Sequence, residues 1–104
     1  MMEPEPHVIV GQIWSLRRCS SSAAVQKVET LDGELIVHVS ILGSNGEVEL
    51  GHAPFAHQAF LRSVDSLQAI SRDNDADFWE GYSYWRSEYD RGAAGVFSVD
   101  VCDV

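Results

Sequence analysis

Positive charge is scarce in this sequence. Seven lysines and arginines stand against sixteen aspartates and glutamates, for a net charge of -9. A chain with this balance repels phosphate backbones, which disfavours nucleic-acid binding. Long apolar runs are lacking as well. None approaches the roughly 20 residues that cross a bilayer, so no membrane role is expected. The opening MMEPEPHVIV has no cationic segment and no extended apolar stretch, and it does not read as a signal peptide. Cysteine is limited to Cys19 and Cys102, far apart and outside any CxxC pair. The reading is two free thiols in a cytoplasmic protein.

Several chemical signatures are missing too. There is no GxGxxG or GxxxxGK[ST] loop to cradle phosphates, no GxSxG elbow to present a serine, and no HExxH pair. The segment RRCSSS sets Cys19 beside three serines and beside Arg17 and Arg18, which would lower a thiol pKa, but no base is paired with it locally. These absences turn the reading away from catalysis, and no cofactor or metal is expected.

What is present is the alternation of an ordinary globular domain. Hydrophobic residues make up 45% and charged residues 22% of the 104 positions, enough for one core in one domain spanning residues 1–104, with 1–6 as a flexible arm. HVIVGQIWSL predicts a first strand, with Val8, Val10, Trp14 and Leu16 on one face. AAVQKVETL predicts a second. Asp32-Gly33 follows, and a type I′ hairpin turn wants positive φ at both central positions. ELIVHVSIL is the clearest strand: Leu35, Val37, Val39 and Ile41 point one way, Ile36, His38, Ser40 and Leu42 the other. Asn45-Gly46 signals another hairpin, into a short fourth strand VELGH.

At Pro54 the period changes. Phe60, Val64 and Leu67, at steps of four and three, predict a helical face over 53–71, with Pro54 in its first turn. RDNDA interrupts it. A second helix is expected from Asp77 to Arg91-Gly92, with Asp77 and Glu80 in a D-x-x-E capping pattern and Gly92 as its stop. AGVFSVDVCDV then predicts a final strand, placed beside the first. The expected fold is α+β: an antiparallel sheet of about five strands in the order β-β-β-β-α-α-β, with two helices packed on one face.

The second helix carries FWEGYSYWRSEY. At helical spacing Phe78, Tyr82, Trp85 and Tyr89 form one stripe, which reads as a face packed on the sheet. Stacking on nucleic acid would need interleaved basic residues, and the neighbours here are mostly acidic. Trp79 and Tyr84 fall off the stripe and are the rings expected to meet a partner. Asp73, Asp75 and Asp77 alternate as an EF-hand loop begins, but Phe78 stands where that loop needs Gly and Tyr84 where it needs Glu, so a solvated acidic helix start is the better reading. His38, His52 and His57 cluster about a strand-to-helix junction. Three histidines would suit zinc, yet no pair has the spacing of HExxH, and strand alternation cannot place them together.

The segments GQIW, IVHV, GHAPF, YSYW and AGVF occur in this order along most of the chain. The array resembles a group of small, uncharacterised bacterial proteins with a G-x-[VI]-W start and a Y-x-x-W…AGVF end. The resemblance implies a bacterial origin and no particular activity.

The negative charge is concentrated after residue 31, where thirteen acids face four arginines. Together with the missing catalytic signatures, this favours a non-catalytic acidic interaction module that meets a basic protein partner, in the manner of an immunity protein or inhibitor. Asp73, Asp75, Asp77, Glu80, Trp79 and Tyr84 are its expected contacts. The alternative is a small enzyme or small-ligand protein using His38, His52 and His57. A deep pocket holding His52 beside a second titratable side chain would favour that alternative, and a closed surface with an acidic patch would favour the first.

Overall fold

The computed structural model describes residues 8–70 and 76–104. Asp73 and Asp75 therefore lie outside the described residues. Among those described, five strands form one antiparallel sheet and two helices pack against it, an α+β fold. The elements are β1 (Gln12–Leu16), β2 (Ser22–Leu31), β3 (Glu34–Leu42), β4 (Val48–Ala56), α1 (His57–Ser63), β5 (Val64–Ile70) and α2 (Ala76–Asp90), followed by a 3-10 turn at Val101–Asp103. The strand order across the sheet is β4-β3-β2-β1-β5.

The β2–β3 hairpin forms where Asp32-Gly33 places it, with φ of 51° and 81° at the two residues. β3 pairs with β2 from Leu31↔Glu34 outwards to Ser22↔Leu42, with one bulge near Gln26. The β3–β4 hairpin closes through Gly43 N–H to the Glu47 carbonyl. β1 is shorter than its apolar run. The chain turns at residues 10–11, where Gln12 N–H reaches the Ile9 carbonyl, so Trp14 and Leu16 are buried from a strand that starts only at Gln12.

Two expected elements take other forms. The helix expected over 53–71 is divided. β4 continues through Pro54 to Ala56, α1 lasts seven residues, and the chain is extended again from Val64, pairing with β1 as β5. Phe60 and Val64 are buried as their spacing required, but Leu67 points to solvent, because the apolar step from Val64 to Leu67 falls along an edge strand. The final segment is not a strand beside β1, a position that β5 occupies. It meets β4 at one parallel bridge, Phe55↔Phe97, and ends in the 3-10 turn capped by the Asp100 carboxylate on Cys102 N–H. The element order is thus β-β-β-β-α-β-α.

Nor do the helices share a face. Val37, Val39 and Ile41 of β3 join Trp14, Leu16, Val25, Phe55, Val101 and the α1 residue Phe60 in one apolar cluster. Fully burying an aromatic such as Phe55 or Phe60 stabilises the fold by about 1.5–3 kcal/mol each. The alternate residues Ile36, His38 and Ser40 are buried on the opposite side, where α2 lies across β3 and β4. A central strand buried on both faces loses the apolar–polar alternation that would reveal two layers.

The thiols are not free. Cys19, in the β1–β2 loop, and Cys102, in the 3-10 turn, form a disulfide with Cα atoms 5.9 Å apart. The pairing is tertiary: the two residues are 83 apart in sequence, so spacing gives no sign of it. No helix among the described residues is long and apolar enough to cross a membrane.

Candidate functional site

The face beneath α2 is built around two histidines rather than around aliphatic side chains. His38 comes from the middle of β3. His52 comes from β4, two positions before Pro54, which pairs with His38. Both therefore project to the same side of the sheet from neighbouring strands. His38 Nδ1 lies 2.9 Å from His52 Nε2. The ring centroids are 5.1 Å apart and the planes differ by 22°, which fits rings meeting edge to edge through a hydrogen bond near both planes.

The other nitrogen of His38, Nε2, lies 2.8 Å from the Glu29 carboxylate, although the contact is bent and falls short of a straight hydrogen bond. Glu29 is placed by the hairpin register. From β2 it pairs with Ile36 of β3, one diagonal step from His38 on the same face. The Tyr82 hydroxyl of α2 donates to the same carboxylate oxygen at 2.7 Å. The result is a continuous chain, Glu29–His38–His52, closed at its carboxylate end by tyrosine.

The aromatic stripe of α2 roofs this chain. Tyr82 and Trp85 stand edge-on to the His38 ring at 5.0 Å each, and Phe78 meets His52 at 5.3 Å. Phe78 and Trp85 are buried, and the Trp85 indole donates to the Gly95 carbonyl at 2.9 Å. The helix can come this close because residue 81 is glycine: a Cβ there would lie 2.9 Å from His52 Cβ. At its far end α2 is tied to the β2–β3 turn by Tyr89, whose hydroxyl donates to Asp32 at 2.7 Å. It then stops as Gly92 N–H bonds to Tyr89 and Ala93 N–H to Glu88.

Burial decides the protonation of the pair. It pushes His38 down to about 4, even though the Glu29 carboxylate pulls the other way, and Lys27 and Arg86 add to the lowering. Burial, with His38 second, likewise lowers His52 to about 4. Tyr82 is raised to about 12, by burial first and by its bond to Glu29. At neutral pH both imidazoles are neutral and the tyrosine keeps its proton.

His52 is not sealed in. It lines a groove of about 620 Å³ between β4, α2 and residues 93–97. Leu50, Pro54, Tyr84, Trp85 and Phe97 supply apolar walls, Asp77 and Glu88 supply carboxylates, and among the described residues no lysine or arginine lines it. His52 Nδ1 makes no hydrogen bond among the described residues.

No protein-family model, curated protein or solved structure matches this chain. The site is therefore read from its own geometry.

Of the three histidines singled out from sequence, the fold brings two together, against the expectation from alternation, because His38 and His52 stand on neighbouring paired strands and project to one face. His57 opens α1 and contacts neither ring. Among the described residues no group of three His, Cys, Asp or Glu side chains is arranged to hold a metal ion. Trp79 and Tyr84 are 38% and 73% exposed, Trp79 leaning edge-on against Phe78 and Tyr82 and Tyr84 on the groove wall. Glu80 is exposed. Asp77 lies within the first turn of a helix already under way at Ala76, so it is not the cap that D-x-x-E suggested, and it reaches the groove instead. Sequence reasoning missed Glu29 and the polar role of Tyr82. Counting the register outward from Asp32-Gly33 would have set Glu29 diagonal to His38.

The arrangement supplies a neutral imidazole in the lining of a largely apolar groove that also holds two carboxylates, backed by a second imidazole and a carboxylate. It supplies no obvious nucleophile. Ser40 donates its hydroxyl to the Gly51 carbonyl at 2.9 Å, and both cysteines are bonded to each other.

Proposed function

We propose that this protein binds a small molecule in the groove above His52. One observation carries the reading: His52, hydrogen-bonded to the buried His38 that Glu29 backs, lines a largely apolar groove, and its Nδ1 has no hydrogen bond among the described residues. Packing alone does not call for two hydrogen-bonded imidazoles beneath a helix, since burying polar groups costs free energy that aliphatic side chains would not cost. Perturbed titratable groups lining a concave surface are the usual mark of a binding site. A ligand of matching shape has an apolar body and one polar group that reaches His52.

The basic-partner reading keeps one supporting observation: the carboxylate residues Asp77 and Glu88 line the groove. In that reading a lysine or arginine side chain from a partner protein enters the same groove, and its binding weakens as salt rises. The Cys19–Cys102 disulfide favours an oxidising compartment over the cytoplasm that the sequence suggested.

A fragment titration followed by protein NMR tests the main reading. Small aromatic alcohols and amines at millimolar concentration are expected to shift the amides of Gly81, Tyr84 and Ala94, and His52→Ala is expected to abolish those shifts. A library that moves no groove resonance would refute the proposal. Binding confined to lysine-rich peptides, and lost in salt, would favour the partner reading.

A further inference from the structure

We infer that Glu29, acting through His38, fixes His52 in its Nε2–H form, so that the groove presents an unprotonated Nδ1 and selects ligands that donate a hydrogen bond there. The inference rests on the groove being the ligand site and adds the chemical class of the ligand: an O–H or N–H group on an apolar body, preferred over a shape-matched ether or N-methyl analogue.

The chain of hydrogen bonds leaves one consistent assignment. Glu29 receives the Tyr82 hydroxyl, and its side chain keeps 17% of its surface in solvent, so it stands as a carboxylate, which only accepts. His38 Nε2 is 2.8 Å away and fully enclosed. A lone pair there would face the carboxylate with no water between them, so Nε2 carries the hydrogen even though the contact is bent. A neutral ring with hydrogen on Nε2 has a lone pair on Nδ1. That lone pair lies 2.9 Å from His52 Nε2, which must therefore be the donor. His52, neutral in turn, is left with a lone pair on Nδ1. A doubly protonated His38 would reverse the order, and its burial among aromatic rings opposes that state.

Glu29 and His38 are thus positioning residues. They touch no ligand, yet they decide whether His52 offers an acceptor or a donor. A glutamine at position 29 could turn its amide to donate to His38 Nε2, which would allow the whole chain to run backwards.

Long-range proton–nitrogen NMR of the histidine rings at neutral pH tests this without any ligand. Both rings are expected to show hydrogen on Nε2 and none on Nδ1. Glu29→Gln is expected to move hydrogen onto His52 Nδ1, a change that a merely structural role for Glu29 would not produce. Should that variant fail to fold, the native spectrum decides alone. Hydrogen on His52 Nδ1 in the native protein, or ring spectra unaltered in a folded Glu29→Gln, would overturn the inference. Phenol and anisole then serve as paired probes. Phenol is expected to bind about tenfold more tightly, the worth of one neutral hydrogen bond. Anisole binding as well as phenol would refute the selection while leaving the groove as a ligand site. If neither probe moves a groove resonance, the ligand reading falls, and the selection falls with it whatever the ring spectra show.

Discussion

Breaking the bond between Cys19 and Cys102 should be the most damaging change available outside the core. The bridge joins residues 83 apart, so it removes a large loop from the freedom of the unfolded chain. The loop-entropy relation gives about 4.5 kcal/mol for this separation at 25 °C, and removing native bridges from small domains costs about 2–5 kcal/mol. The native side loses contacts as well. The bridge pins the turn that buries Val101, whose N–H donates to the buried Ser63 hydroxyl at 3.0 Å. The neighbouring Arg18–Asp103 pair is exposed and offers little in compensation. For a domain of this size each kcal/mol moves Tm by about 4–8 °C, so Cys19→Ser/Cys102→Ser is expected to melt at least about 10 °C lower. Circular dichroism melts of the native protein, with and without reductant, and of the double variant would measure this, with alkylation and mass spectrometry to count thiols. Two thiols alkylated in the untreated folded protein, or a melt unmoved by reductant, would refute the reasoning.

Trp85→Ala should cost about 3–5 kcal/mol in urea unfolding, because it leaves a cavity over both histidines and removes the bond to Gly95; an unchanged midpoint would mean that α2 does not seal this face. Gly81→Ala would gain about 1 kcal/mol in an open helix, but with its new Cβ 2.9 Å from His52 Cβ it should instead destabilise by about 1–3 kcal/mol, and a stabilised variant would show that α2 stands off from β4. Acid should weaken the fold through the histidine pair. With both groups lowered from 6.5 to about 4, the unfolded chain takes up protons that the native state refuses. Stability is then full above pH 6.5 and falls as pH drops towards about 4, by on the order of 3 kcal/mol for the fully buried His38. The stability difference between native protein and His38→Gln, measured from pH 7 to pH 4, isolates this contribution from that of the carboxylates, and parallel curves would contradict it.

The parts of the fold that could be read in advance are those written in local chemistry. Asp32-Gly33 set a turn, and the register of β2 on β3 follows from it by counting. The stripe from Phe78 to Tyr89 and the stop at Gly92 delimit α2 almost to the residue. The segment from 57 to 70 resisted because α1 is too short to establish a period, and Phe60, Val64 and Leu67 imitate one helix across the junction of a helix and an edge strand. Pro54 suggested a helix start, yet it sits in β4, where its carbonyl accepts from Phe97 N–H. Half of the site was within reach for the same reason, since Glu29 and His38 share one hairpin. His52 was not, because β3 and β4 pair through register shifts between Val39 and Leu42, and no count along the sequence passes through a bulge whose position is unknown. The disulfide was beyond reach altogether, because it depends on where the last turn docks.

Residues 93–97, which flank one side of the groove, are held in place through their main chain. Phe97 exchanges main-chain hydrogen bonds with Pro54 and Ala56, the Trp85 indole takes the Gly95 carbonyl, and Ala93 N–H closes the end of α2. None of these bonds uses the side chains of Ala93 or Ala94, although both residues line the groove. The wall is therefore interchangeable lining on a fixed frame. Bulkier or polar residues at these two positions would narrow or reshape the cleft while the sheet, the helix stop and the histidine chain stayed as they are, so a small combinatorial library here would re-cut the cleft without renegotiating the stability of the fold.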